Sequence, residues 1–110
     1  MSDHVVEIDS ARFEAEVVNS PVPVVLDFYS TECPPCEALA PRFASVAERF
    51  AGKARFMKVM RQGNRELAQQ LGVMGSPTVL FLRGGVEVAQ RLSGQIRKAE
   101  LEAGVESLCG

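Results

Sequence analysis

Residues 23–29, Pro-Val-Val-Leu-Asp-Phe-Tyr, are an almost unbroken β-branched and aromatic run. They show none of the apolar/polar alternation of a strand with one wet face, which suits a central strand covered on both sides. Packed layers are therefore needed above and below it. The flanking segments supply them. Residues 5–8 read as a short strand, and Asp9 or Ser10 can cap a helix over 11–18 whose inner face carries Phe13 and Val17. The Asn19-Ser20-Pro21 cluster breaks that helix before the apolar run begins. Residues 36–50 repeat Leu39, Phe43, Val46, Ala47 and Phe50 on one side of a helix that Pro41 should kink and Gly52 should stop.

Further on, residues 54–60 read as a strand and 64–71 as a short helix with Asn64 as N-cap and Gly72 at its end. Two strands, 78–83 and 86–92, are separated only by Gly84-Gly85, a link in which both positions can take positive φ, so they must form an antiparallel hairpin. A last helix spans 95–108, with Ile96, Leu101, Val105 and Leu108 at helical spacing. The order βαβαβαββα implies an α/β fold, a central mixed sheet with helices on both faces.

A chain of 110 residues has room for one domain, residues 1–110, and can hold a core without disulfide staples. Twelve Lys plus Arg against fourteen Asp plus Glu leave a net charge of −2, with no basic excess to neutralise phosphates or meet an anionic bilayer. Nucleic acid and membrane are therefore not expected partners, and a monomer is expected. No run approaches the roughly 18 apolar residues of a membrane span, and the first ten residues lack the basic and apolar regions of a secretory signal. Three cysteines are too few for a secreted disulfide scaffold and suggest a reducing, cytoplasmic compartment with a chemical role for some of them. Cys109 is one residue from the end, too late for a prenylation signal, and reads as a free thiol.

The chemistry concentrates at Cys33-Pro34-Pro35-Cys36, between the buried strand and the next helix. A cysteine at a helix N-cap faces unpaired N–H groups and the positive end of the helix dipole, which favour the thiolate. Only the thiolate attacks a disulfide, so Cys33 is the candidate nucleophile. Cys36 is placed to close a small ring with it, as a more buried and less ionised resolving thiol. Pro34 falls at N1, where a missing N–H costs nothing. Half of a four-cysteine zinc site would have the same spacing, but only His4 and Cys109 remain as ligands of that type and they are not paired at zinc-site spacing, so no metal or cofactor is expected. Two cysteines that only fill core space would not be flanked by Ser30, Thr31, Glu32 and Glu37.

Residues 24–41, VVLDFYSTECPPCEALAP, resemble the active-site segment of the thioredoxin family, a strand ending in Asp-Phe, a Trp-Cys-Gly-Pro-Cys centre and a helical proline five residues later. The order of segments matches over nearly the whole chain, and Gly75-Ser76-Pro77-Thr78 resembles the family's loop before its fourth strand. The resemblance implies a thiol–disulfide oxidoreductase that reduces protein disulfides and is recharged by a thioredoxin-reductase-type electron donor. It also implies that Pro77 is cis and lies beside Cys33, and that the Ser76 backbone binds an extended substrate strand. Without it, a trans proline opening the strand would be the simpler reading. Asp27 matches the carboxylate that accepts the proton of the resolving cysteine, Lys58 the lysine paired with it, and Gly94 a glycine near the substrate groove. Read from the strand alone, Asp27 is either a costly buried carboxylate or a side chain reaching solvent at the strand end.

The chain departs from that pattern at the substrate platform. Glu32 stands where the family has Trp, Tyr29 replaces a second Trp, and Pro34-Pro35 replaces Gly-Pro. Glu32 sets a negative charge beside Cys33 and removes an aromatic wall, and Pro34 restricts the ring-open loop, so partner choice and redox potential are expected to differ. Residues 60–63, Met-Arg-Gln-Gly, lack the acidic side chains that commonly follow this strand in the family. Two other functions fit the same residues: a binding or scaffold module that uses the cysteines little, and a disulfide oxidant or isomerase.

Overall fold

A computed structural model describes residues 4–109. In chain order it contains β1 (Val5–Glu7), β2 (Val24–Tyr29), α1 (Pro34–Arg49), β3 (Arg55–Met60), α2 (Arg65–Gln70), β4 (Thr78–Arg83), β5 (Val86–Ser93) and α3 (Lys98–Cys109). The strands form one sheet in the order β1-β3-β2-β4-β5, with β1, β3 and β2 parallel and β4 and β5 antiparallel to their neighbours. The apolar run of β2 thus takes the central place, where all its residues from Val24 to Phe28 are buried.

Successive β2 side chains feed two separate cores, as the period-2 geometry of a strand requires. Val25 joins Leu39, Phe43, Val46 and Ala47 of α1 and Leu101, Val105 and Leu108 of α3 on one face. Val24, Leu26 and Phe28 join Val17, Leu67 and Ala68 on the other. This is the expected α/β architecture, a mixed five-stranded sheet with helical layers on both sides. The hairpin turns at Gly84 and Gly85, both at positive φ (60° and 80°), with Arg83 opposite Val86. The helix α1 runs unbroken through Pro41.

Two local expectations need correction. Residues 11–18 do not form an α-helix. Asp9 caps a 3-10 turn at Ser10–Arg12, and a π-helical segment follows at Glu14–Val18, where the Asn19 N–H donates to Glu14 O at 3.0 Å. Eight residues are too few for an α-helix to be stable alone, so packing decides the pitch. Here Val17 is fully buried in the core, while Val18 abuts the hairpin at Gly85.

Asn64 stands at the N-cap of α2 as expected, although its side chain makes no capping bond. Its Oδ1 accepts from the N–H and hydroxyl of Ser10, each at 2.9 Å, and its Nδ2 donates to Met60 O. A tertiary tie replaces the local one. The last helix starts at Lys98 and not at 95, because the Arg97 N–H is satisfied by Glu100 Oε1 at 2.9 Å while Ile96 is buried ahead of the first turn, its carbonyl held by Arg42. Among the described residues no helix is long and apolar enough to cross a membrane.

Candidate functional site

The site is assembled where β2, α1, β3 and the loop before β4 meet. Cys33 is the N-cap of α1, with extended backbone (φ −130°, ψ 96°), and Pro34 and Pro35 occupy N1 and N2, where no N–H is needed. The Cys36 N–H donates to Cys33 Sγ at 3.3 Å, and the Glu37 N–H donates to Cys33 O at 3.0 Å. Cys33 and Cys36 form a disulfide with their Cα atoms 5.2 Å apart. Cys33 is partly exposed, whereas Cys36 retains only 7% of its surface. The two sulfurs therefore differ in access although they belong to one ring. Pro34 is exposed and Pro35 half-buried.

On one side of Cys33 lies the loop before β4. The Ser76–Pro77 peptide is cis, Pro77 is buried, and Ser76 O lies 3.7 Å from Cys33 Sγ. Gly94, at φ +76°, donates its N–H to Pro77 O at 3.3 Å, so it belongs to the same rim. Glu32, exposed immediately before Cys33, sits at φ +53°. A non-glycine residue in that left-handed region costs on the order of 1–2 kcal/mol.

Beneath Cys36 a cleft of ≈ 730 Å³ is lined by Asp27, Tyr29, Glu32, Glu37 and Lys58 among others. Its floor follows from strand register. Val5, Phe56, Val25 and Phe81 stand abreast across β1, β3, β2 and β4 and form an apolar row. Two residues further along the parallel strands, Glu7, Lys58 and Asp27 stand abreast on the same face. The sheet thus changes from oil to charge within one pleat as it reaches the disulfide.

Asp27 is buried, with 6% of its surface exposed, and its Oδ1 has no hydrogen-bond partner. The reading in which it reaches solvent is overturned. Desolvation pushes its pKa from 3.8 up to about 7, opposed by the Lys58 ammonium. Lys58 acts through space: its Nζ lies 5.4 Å from the centre of the Tyr29 ring, and it makes no ion pair with Asp27. The Tyr29 hydroxyl donates to Glu7 Oε2, and burial followed by that bond pushes its pKa up to about 12. Among the described residues no group of three or more His, Cys, Asp or Glu is placed to hold a metal.

The structure adds residues that local sequence reading missed. Glu7 becomes visible only through the β1/β3 register. Ser30 and Arg61 each lie one residue beyond a strand and reach Ser76: the Ser30 and Ser76 hydroxyls are hydrogen-bonded, and Arg61 Nε donates to Ser76 Oγ at 3.2 Å. Gln62 pairs with the backbone N–H and hydroxyl of Thr31, tying the end of β3 to the segment before Cys33. The signal that would have found them is the length of the parallel strands, which brings their C-terminal ends to one edge.

The thioredoxin family model matches residues 4–107. A thioredoxin of Haemophilus influenzae is 38% identical over 97 residues, 88% of this chain and 90% of that protein. A thioredoxin of Allochromatium vinosum is 34% identical over 106 residues, covering 96% and 98% of the two chains, and one of Pseudomonas aeruginosa is 32% identical over 103 residues, 94% of each. The residues matched by the family model include every strand of the sheet and the disulfide at the start of α1. The chain belongs to the thioredoxin family and is a protein thiol–disulfide oxidoreductase.

Proposed function

We propose that the protein reduces the disulfides of other proteins in the cytoplasm, as a single-domain monomer that cycles between the Cys33–Cys36 disulfide and a dithiol. The observation that carries this reading is the asymmetry of the pair: a partly exposed Cys33 at the N-cap of α1, and a buried Cys36 over a cleft that contains a carboxyl group titrating near neutral pH. Membership of the family implies protein substrates and a reductase partner in general. The thioredoxin-reductase-type donor and the reductive direction are what the resemblance suggests for this chain.

In the reduced protein the Cys33 thiolate attacks one sulfur of a substrate disulfide. A Cys33–substrate disulfide forms and the other substrate sulfur leaves as a thiolate, which takes up a proton. Asp27, whose carboxyl titrates near neutral pH, accepts the proton of Cys36 when in its ionised form, which Lys58 favours. The Cys36 thiolate then attacks Cys33 Sγ, expels the second substrate thiolate, to which the proton held by Asp27 passes, and closes the disulfide seen in the structure. Two electrons and two protons reach the substrate. The Ser76 backbone, beside Cys33 and braced by the buried Pro77, receives an extended substrate segment, with Gly94, Glu32, Pro34 and Pro35 forming the rim.

Reduction of insulin with dithiothreitol as electron source tests this reading. Turnover is expected in the wild type and absent in Cys33→Ser, while Cys36→Ser accumulates a mixed disulfide that gel analysis under non-reducing conditions reveals. Turnover that survives Cys33→Ser refutes the assignment.

A further inference from the structure

Arg61 is the first residue after β3, and its backbone N–H donates to Tyr29 O at 2.8 Å, which extends the β2/β3 ladder and holds it at the edge of the sheet nearest the disulfide. Its half-buried side chain turns to the loop before β4, where Nε donates to Ser76 Oγ at 3.2 Å and that oxygen is in turn bonded to the Ser30 hydroxyl. The carbonyl of the same Ser76 is 3.7 Å from Cys33 Sγ. The guanidinium is therefore fixed on the rim that a substrate must cross to reach Cys33.

A guanidinium carries five N–H donors in a planar fork suited to a carboxylate. Arg12, Arg49, Arg55, Arg91 and Arg97 each meet a carboxylate of this chain. Among the described residues Arg61 meets none, and only its Nε donor is used, by the serine. Half-burial strips part of its hydration without supplying a counter-ion, which makes an incoming carboxylate more valuable here than at an open surface.

We propose that Arg61 is a specificity-determining residue that pairs with an aspartate or glutamate of the protein substrate beside the disulfide to be reduced. This rests on the reductase reading above. Ser30 and Ser76 hold the Nε side, and the remaining donors receive the substrate carboxylate while Cys33 attacks the neighbouring sulfur.

The test compares two cyclic disulfide peptides that differ only in an Asp or an Asn next to the disulfide, reduced by the wild type, Arg61→Gln and Arg61→Lys. The wild type is expected to favour the Asp peptide in kcat/KM by about five- to tenfold at low salt and less at high salt. Arg61→Gln brings the ratio to about one or below, and Arg61→Lys restores part of the preference. A purely structural role for Arg61, bracing the loop through Ser76, would slow both peptides together and leave their ratio intact, so an unchanged ratio in Arg61→Gln overturns the proposal. Equal rates in the wild type overturn it while leaving the reductase reading standing. If the wild type reduces neither peptide, the reductase reading fails and this inference falls with it.

Discussion

Replacement of Asp27 by Asn is expected to stabilise the fold increasingly as the pH rises. Below about pH 4 the carboxyl is neutral in both the folded and the unfolded chain and costs nothing through ionisation. Between 3.8 and about 7 the unfolded chain has released its proton while the folded one still holds it, because burial opposes the charged form more than Lys58 supports it. The sign follows: the folded state binds more protons in that window, so the wild type loses stability as the pH rises and levels off once the folded carboxyl ionises. At 1.36 kcal/mol per pH unit over roughly three units, the accumulated loss is about 4 kcal/mol. The Asn variant carries no such term. Its amide meets the same lack of partners that leaves Oδ1 unbonded, a cost independent of pH, so the diagnostic is the slope and not the absolute difference. Urea unfolding of the oxidised wild type and Asp27→Asn, in steps from about pH 4 to about pH 8, reads it directly. The stability difference should move in favour of the variant by about 4 kcal/mol across the range, mostly before pH 7. A difference that stays constant with pH would refute the claim that a desolvated carboxyl is held neutral at the centre of the fold.

Two further substitutions probe packing and backbone strain. Gly104 in α3 faces the fully buried Phe81, and a Cβ there would fall 2.6 Å from Cε1 and 2.8 Å from Cε2 of the ring. Gly104→Ala is therefore expected to cost about 1–2 kcal/mol in urea unfolding despite alanine's better helix propensity, and an unchanged or raised midpoint would contradict it. Glu32→Gly releases an exposed residue from φ +53° and should stabilise the oxidised protein by about 0.5–1 kcal/mol; a loss of stability would show that the glutamate side chain supports the turn.

Much of the fold was legible because it is written in short-range pattern. The β2 run announced a two-sided strand, Gly84-Gly85 announced a hairpin, and the periodicity of 36–50 announced the face that α1 buries. The first helical segment was misread because its Asp9 cap and Phe13/Val17 spacing suit an α-helix equally well, while its actual pitch depends on where Val17 meets the sheet and Val18 meets Gly85. Asn64 was placed correctly at the N-cap of α2, but the partners of its side chain were not legible. Its side chain would serve as a cap in isolation, but Ser10, 54 residues away in sequence, offers it two donors.

The candidate site divides along the same line. Cys33, Pro34, Pro35 and Cys36 lie within one helical turn, so the sequence alone determines that two sulfurs meet at a helix N-terminus and that the prolines forgo nothing there. The surroundings of that pair are non-local. Asp27 is buried and neutral up to about pH 7 only because α1 covers β2, and Lys58 and Glu7 stand beside it only because three parallel strands align in one register. Ser76 reaches Cys33 across 43 residues of sequence, and Arg61 reaches Ser76 across 15. Side-chain identity and near-neighbour spacing determined which atoms can do redox chemistry. Strand register and layer packing, which depend on the free energy of the whole core and not of any one segment, decided the charge those atoms face and the backbone that lies beside them.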